Sequence, residues 1–209
     1  MSKTPIKLSA MFRFALLLLL AIVGLAIRPA AAHPHVWIVA SATLMFEGDR
    51  IVAIRQEWLF DEIFSGNIIH DFDRNKDGKF DAKEIREVEV NAFGNLGEYD
   101  FFTRITAGGT KAKFKTARAF SVERLGKRVV YRFTLDLPEP IEPLKQGIQL
   151  VILDETYFVE ILLAEVDPIR FDGARGIACQ TRIERDDSLA AAFGVGLVEA
   201  VNLTCGSGG

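Results

Sequence analysis

The chain has 209 residues, of which 49% are hydrophobic, and its 25 basic and 28 acidic residues give a formal net charge of −3. This length suits one domain with a real hydrophobic core. The acidic balance argues against nucleic acid and anionic membrane surfaces as partners.

Residues 1–32 have the three parts of an export signal. Lys3, Lys7 and Arg13 precede the apolar run FALLLLLAIVGLAI, which is followed by RPAAA. A charged start, a short apolar stretch and an A-x-A site are what signal peptidase recognises. A retained anchor is the alternative, but the run is shorter than the roughly 20 apolar residues of a spanning helix. The sequence therefore predicts cleavage after Ala32 and export to the periplasm, without stable membrane insertion afterwards.

Cleavage would leave a single β-rich domain, residues 33–209. Residues 1–32 contain four basic and no acidic residues, so 21 basic and 28 acidic residues remain and the net charge becomes −7. The exclusion of nucleic acid as a partner becomes stronger for the mature chain.

The mature chain would begin with HPHVW, which places His33 at the free amino terminus. Because residues i and i+2 of a strand point to the same face, His33 and His35 should lie side by side. Two imidazoles and the α-amino group could bind Zn²⁺, Ni²⁺, Co²⁺ or Cu²⁺. Pro34 lacks an N–H and excludes the square-planar motif that needs a deprotonated second amide. The alternative is a polar start to a strand.

Apolar residues at every second position predict that most of the chain is β-strand. The even positions from Val36 to Phe46 are apolar, and VVYRFTLDL at 129–137 alternates more clearly. Further strands are predicted at 50–58, 101–106, 112–122, 147–153, 157–163 and 176–184. We expect an α+β fold, mainly an antiparallel β-sandwich or partly open barrel, with an inserted EF-hand-like helix-loop-helix.

The predicted insert covers about 60–97 and contains DRNKDGKFDAKE, residues 73–84. This run matches the twelve-residue EF-hand calcium loop, with Gly78 at the sharp turn. Oxygen ligands of this kind suit calcium better than a soft transition metal. An acidic, solvated turn without metal is the alternative. The predicted calcium ligands are the side chains of Asp73, Asn75, Asp77, Asp81 and Glu84 and the carbonyl of Lys79.

The third histidine, His70, precedes the acidic loop by three residues. If the insert folds back on the first strand, His70 could complete a three-nitrogen transition-metal site with His33 and His35. Asp71, or Asp154 with Glu155, could instead supply a carboxylate. The alternative is that His70 solvates the end of a helix.

Cys179 and Cys205 are the only two cysteines. An exported chain could oxidise them to each other, and closing this loop would stabilise the fold by on the order of 3 kcal/mol. Two free buried thiols, or a cysteine metal site, are the alternatives. Between the cysteines, residues 188–201 could form a short helix or a closing strand.

Four segments together resemble an exported bacterial family of unknown function. They are HPHVW, EWLFDEIFSGNIIHDFDRNKDGKFDAKE, FF and LDETYFVEI. The family is described as the periplasmic component of an uncharacterised ABC-type transport system, often encoded beside nickel/cobalt-type transporters. The resemblance implies a periplasmic location and a link to divalent-metal transport, and it maps the family's histidine start onto His33 and His35.

The preferred hypothesis is a non-enzymatic periplasmic accessory protein that binds a transition metal and serves a membrane metal transporter, with a structural calcium ion. A second hypothesis is a copper enzyme that uses an amino-terminal histidine clamp. A third is a calcium-stabilised interaction domain without a transition metal.

Overall fold

The structure is a computed structural model that describes Phe12, Ala15 and residues 34–208. Residues His33–Gly209 form one compact unit. The predicted signal segment and His33 lie outside the described residues, apart from Phe12 and Ala15. Within the described part, no helix combines the length and the apolar character that crossing a bilayer requires.

Between residues 34 and 208 the chain forms eleven strands and three α-helices. In chain order the strands are β1 (Val36–Glu47), β2 (Arg50–Phe60), β3 (Thr103–Ala107), β4 (Thr110–Lys111), β5 (Arg118–Leu125), β6 (Arg128–Ile141), β7 (Ile148–Ile152), β8 (Val159–Leu163), β9 (Ile169–Asp172), β10 (Ile177–Arg185) and β11 (Glu199–Ser207). The α-helices are α1 (Glu62–Phe72), α2 (Ala82–Val88) and α3 (Asp187–Phe193). A π-helical turn (Glu89–Phe93) and a 3-10 segment (Gly94–Phe102) follow α2.

The strands form two sheets, which confirms the predicted α+β class. One sheet has the order β5-β6-β2-β1-β8, with β9 also paired to β1. It is mixed, because β1 runs parallel to β8 and β9 and antiparallel to β2. The other sheet, β10-β11-β7-β3-β4, is antiparallel throughout. Over residues 34–208 the sheets do not close into a barrel.

Both sheets contribute to one hydrophobic core. The even-numbered side chains of β1, from Val36 to Phe46, are all buried, as the alternation predicts. They share a cluster with Ile105 and Leu150 of the second sheet. Burying a side chain as large as Ile105 or Leu150 stabilises the fold by roughly 1.5–3 kcal/mol. A buried hydrogen bond from Gln56 Nε2 to Thr103 Oγ1 also joins the sheets.

The predicted strand 112–122 is wrong in its first half, because β5 begins only at Arg118. Phe114 is buried there, and its backbone N–H donates to the Asp100 carboxylate at 2.9 Å. A side chain therefore takes the place of a neighbouring strand as the backbone's partner. The predicted strand from 101 likewise starts late, at Thr103, and β9 was not predicted.

Residues 188–201 contain parts of both structures that the sequence allowed. Helix α3 ends at Phe193, Gly194 takes a left-handed conformation with φ +68°, and β11 starts at Glu199. Glycine tolerates this conformation, which ends helices. Cys179 on β10 lies directly opposite Cys205 on β11. The two form a disulfide, which confirms the predicted pairing.

Candidate metal centres

Asp61 joins the start of the helical insert to the start of β1. One of its carboxylate oxygens caps α1 by accepting from the N–H groups of Ile63 and Phe64. The other accepts from the Trp37 N–H at 2.9 Å, and the Asp61 N–H donates to the Trp37 carbonyl. An aspartate cap of this kind stabilises a helix by about 1 kcal/mol. The insert is thereby anchored close to the amino-terminal strand.

The acidic loop connects two helices, as the sequence predicts. Helix α1 ends at Phe72, α2 begins at Ala82, and Gly78 turns the chain between them with φ +79°. Phe80, at the loop position that normally anchors an EF-hand, packs partly buried against the core. The backbone therefore has the turn that a calcium loop requires.

Asp73, at the first position of the loop, is buried, with 7% of its surface exposed. Its Oδ2 accepts from the Gly78 N–H at 3.0 Å. Its Oδ1 is buried and has no hydrogen-bond partner among the described residues. Leaving a buried acceptor unpaired costs roughly 1–3 kcal/mol, and more for a charged group. This oxygen is the part of the loop that still lacks a partner.

Glu84, at the last position, is 3% exposed and has partners for both oxygens. Oε1 accepts from the N–H groups of Arg74 and Asn75, and Oε2 accepts from that of Asp81. The Asp81 carboxylate accepts in turn from Lys83 and Glu84, which makes a capping box for α2. Two predicted calcium ligands thus also stabilise a helix end.

The remaining loop ligands bind neighbouring backbone groups. Asn75 Oδ1 accepts from the Asp77 N–H, and Asp77 Oδ1 accepts from the Lys79 N–H, both at 2.8 Å. Across residues 34–208, no three His, Cys, Asp or Glu side chains gather closely enough to hold a metal ion. Calcium binding by this loop stays a prediction.

His35 is exposed at the start of β1, on the face opposite Val36, as the strand pattern predicts. Its backbone N–H donates to the Phe158 carbonyl at 2.9 Å, and its ring centroid lies 5.0 Å from that of Phe158. His33, the other half of the proposed clamp, lies outside the described residues. The transition-metal clamp stays a prediction.

His70 lies in the last turn of α1, with 87% of its side chain exposed. Its Nδ1 is 2.9 Å from Asp71 Oδ1. At 1.5 Å per residue, His70 stands about 13 Å along the helix axis from Asp61, the residue that contacts β1. The proposed three-nitrogen site also needs His33 and is not described by the structure.

Asp154 and Glu155, the alternative carboxylate ligands, are occupied by contacts within the protein. Asp154 is 1% exposed and accepts four hydrogen bonds, from Thr156 N, Thr156 Oγ1, Phe158 N and Val159 N. Glu155 binds Arg104 at 2.7 Å. Asp154 therefore shapes the loop that precedes β8.

A turn that the sequence did not indicate closes the helical insert. Asp100, Phe101 and Phe102 have φ values of +53°, +49° and +53°, the left-handed region that non-glycine residues rarely occupy. The Asp100 carboxylate accepts from Phe114 N and from Lys113 Nζ. Burial opposes its ionisation, but these bonds and the charges of Lys113 and Lys111 lower its pKa. No glycine or asparagine marked this turn in advance.

An apolar cavity of about 290 Å³ lies beside this turn and below the start of β1. Trp58, Phe60 and Tyr131 contribute one wall, and Phe102 of the left-handed turn contributes another. The alternation at 129–137 placed Tyr131 on the apolar face of a strand. It could not indicate that the core stays open at this end.

These features define a class of protein: a two-sheet α+β domain with an acidic helix-loop-helix insert and an exposed histidine at the start of its first strand. A family model for proteins of unknown function, DUF1007, matches residues 18–194. The chain belongs to the DUF1007 family, and the predicted resemblance to a family of unknown function is confirmed to that extent.

Two curated relatives are similar over much of their length. An uncharacterized 15.5 kDa protein in the trpE 3'region of Spirochaeta aurantia is 28% identical over 112 residues, which cover 52% of this chain and 79% of the relative. An uncharacterized protein of Haemophilus influenzae is 24% identical over 154 residues, which cover 73% of this chain and 72% of the relative.

Proposed function

We propose that the mature protein is an exported, periplasmic protein that binds divalent cations, with a structural Ca²⁺ ion in the loop 73–84. The observation that carries this proposal is the buried Asp73 Oδ1, which lacks a partner among the described residues. A hard cation bound by oxygens would compensate this oxygen. The disulfide between Cys179 and Cys205 is consistent with export.

The donor set fits calcium. Asp73, Asn75, Asp77, Asp81, Glu84 and the Lys79 carbonyl are all oxygen donors, and calcium takes six to eight of these. Once bound, calcium would neutralise the carboxylates and hold the two helices of the insert together. Glu84 would have to exchange hydrogen bonds to Arg74 and Asn75 for the ion. We therefore expect an affinity near the weak range of extracytoplasmic sites, roughly 10⁻⁴ to 10⁻³ M.

Isothermal titration calorimetry with Ca²⁺ on the purified mature protein tests this site. Wild type should bind one Ca²⁺, and Asp73→Asn should weaken binding at least about tenfold because it removes the charge at the unpaired oxygen. Asp71→Asn is the matched control: it removes an exposed carboxylate two residues before the loop. Equal loss in both variants, or no binding by wild type, contradicts the site.

We further propose that a second cation site at the amino terminus serves a membrane metal transporter. His35 is exposed, two residues from the predicted mature terminus, so its imidazole is accessible to a metal. With the His33 imidazole and α-amine it could bind Ni²⁺, Co²⁺, Zn²⁺ or Cu²⁺ and deliver the ion to the transporter. This role requires no chemical reaction. A copper enzyme using the same clamp and a calcium-stabilised interaction domain are the alternatives.

The clamp depends on the position of the amine, which gives a sharp test. A mature chain extended by one alanine before His33 keeps both imidazoles and moves the α-amino group away. Titration with Ni²⁺ and Zn²⁺ should show a lower metal affinity for this chain than for wild type, and the lowest affinity for His35→Ala.

The His70→Ala variant shows whether a third histidine takes part. If His35→Ala binds like wild type, the clamp is wrong. Redox turnover with Cu²⁺ would favour the enzyme.

A further inference from the structure

Strand β10 forms one edge of the antiparallel sheet. It pairs with β11 on one side, and none of the described strands pairs with it on the other. Its nine residues pair with β11 without a break in register. By contrast, β4 at the opposite edge has two residues, and β5 at an edge of the mixed sheet has an irregular register. Short strands and bulges protect sheet edges from pairing with other chains, and β10 has neither.

Backbone hydrogen bonds beyond both ends of β10 show which of its residues face the open edge. The Asp186 N–H donates to the Val198 carbonyl, and the Gly208 N–H donates to the Gly176 carbonyl, both at 2.9 Å. In an antiparallel pair, positions that bond to the neighbouring strand alternate with positions that face away from it. The even-numbered residues of β10 therefore bond to β11. The odd-numbered residues within 177–185 direct their N–H and C=O groups toward the open edge.

The charges of β10 fit a second copy of the same strand. Outward-facing residues must pair with outward-facing residues, so each symmetric antiparallel register has one residue of β10 at its centre. A register centred on Ile183 places Arg182 of each copy opposite Glu184 of the other. Opposite charges at directly opposed positions stabilise the pairing of two strands. Ile183, a large apolar residue that is 38% exposed, then packs against its own counterpart.

The neighbouring registers lack this complementarity. Centring the pair on Arg182 or on Glu184 sets two like charges opposite each other, which is destabilising. Centring it on Thr181 places Arg182 opposite an uncharged residue. In the register centred on Ile183, the outward-facing residues Thr181, Ile183 and Arg185 each exchange two backbone hydrogen bonds with the residue opposite. Side-chain charge and backbone geometry therefore favour the same register.

We propose that β10 pairs with β10 of a second copy, antiparallel and centred on Ile183, in a symmetric dimer. The disulfide between Cys179 and Cys205 holds β10 to β11, so the edge is in place before the second copy binds. The paired stretch, residues 181–185, makes a small interface, and we expect a dissociation constant of roughly 10⁻⁴ M. The dimer involves none of the proposed cation sites.

Sedimentation equilibrium of the purified protein, with chelator present, measures association without cations. Wild type should dimerise. Arg182→Glu and Glu184→Arg should each weaken the dimer at least about fivefold, because each variant sets like charges opposite each other twice. Arg175→Glu is the matched control, since it makes the same charge change at an exposed residue outside the paired stretch. It should dimerise like wild type.

Mixing the two reversed variants tests the register. A dimer of one Arg182→Glu chain and one Glu184→Arg chain has opposite charges at both positions, so the mixture should associate with about the wild-type affinity. A chain that carries both substitutions should also recover wild-type association. Ile183→Pro should abolish the dimer, because proline has no N–H to donate at the centre of the pair. The fold tolerates a proline whose nitrogen faces away from β11.

Amide resonances in ¹H–¹⁵N NMR locate the interface. Those of Thr181, Ile183 and Arg185 should shift with protein concentration and exchange rapidly with solvent in the dilute monomer. A wild type that stays monomeric up to about 1 mM overturns the proposal. So does a mixture of reversed variants that associates no better than either variant alone. Slow exchange of these amides in the dilute monomer also overturns it, because another segment of the chain would then cover the edge.

Discussion

The helical insert holds two aspartates in opposite situations, one in its central loop and one at its end. Asp73 begins the acidic loop and keeps one buried oxygen without a partner among the described residues. Asp100 closes the insert in a left-handed turn and binds Phe114 N and Lys113 Nζ. The sequence pointed to Asp73 and missed Asp100. A loop motif can indicate where a ligand from outside the protein is expected. A carboxylate whose hydrogen-bond partners come from distant residues of the same chain leaves no such motif in the sequence.

Calcium should give the largest effect, and the effect should require the Asp73 carboxylate. At a concentration a hundred times the dissociation constant, a ligand stabilises the folded state by about 2.7 kcal/mol. For a domain of this size we expect the midpoint of thermal unfolding to rise by roughly 5–10 °C. Differential scanning calorimetry of wild type and Asp73→Asn, with Ca²⁺ and with chelator, measures it. An equal rise of the unfolding midpoint in both proteins would mean that Ca²⁺ binds at a site other than the loop.

Asp100→Asn should cost about 1.5–3 kcal/mol at neutral pH, because it weakens a charged acceptor of two hydrogen bonds. The cost should depend on pH. The pKa of Asp100 is lowered in the folded state, so its contribution is fully present above the unfolded value near 3.9 and is lost as pH falls through the folded value.

Urea unfolding of wild type and Asp100→Asn from pH 7 to pH 2.5 checks this dependence. Their difference in unfolding free energy should be constant near neutrality and shrink below about pH 4. Glu98→Gln is a matched control at a carboxylate two residues away on the same segment. A difference that stays constant to pH 2.5 would show that the Asp100 charge has no role.

Asp61→Ala should cost about 1 kcal/mol, since it removes the cap of α1 and the bond to the Trp37 N–H. The expected loss is similar with Ca²⁺ and with chelator, because the cap lies outside the loop. Chemical denaturation under both conditions measures it. A loss seen only with Ca²⁺ would mean that α1 and the loop fold as one unit.

Tyr131→Phe should have the smallest effect on stability, within about 0.5 kcal/mol of wild type or slightly stabilising. The hydroxyl it removes has no partner among the described residues, so no hydrogen bond is lost. Thermal unfolding of both proteins in the absence of ligand measures the difference. A loss above about 2 kcal/mol would show that the hydroxyl does have a partner within the protein.

Local patterns predicted the parts of the molecule that depend on neighbouring residues. Alternation identified the buried faces of β1 and β6, and the turn at Gly78 followed from the loop motif. The path of 112–117 and the turn at 100–102 could not be predicted, because Asp100 and Phe114 meet across fourteen positions. The open end of the core also depends on how separate elements meet. For the same reason the sequence did not show that Glu84 is shared between the loop and α2.

Native mass spectrometry of the protein purified from the periplasm tests the central claim most directly, because it reads the amino terminus and the bound metal together. In millimolar Ca²⁺ we predict a chain that begins at His33, holds one Ca²⁺ in wild type and in Asp71→Asn, and does not hold it in Asp73→Asn. A chain that holds no Ca²⁺ at millimolar concentrations, or that holds it equally after Asp73→Asn, would contradict the proposed cation-binding loop.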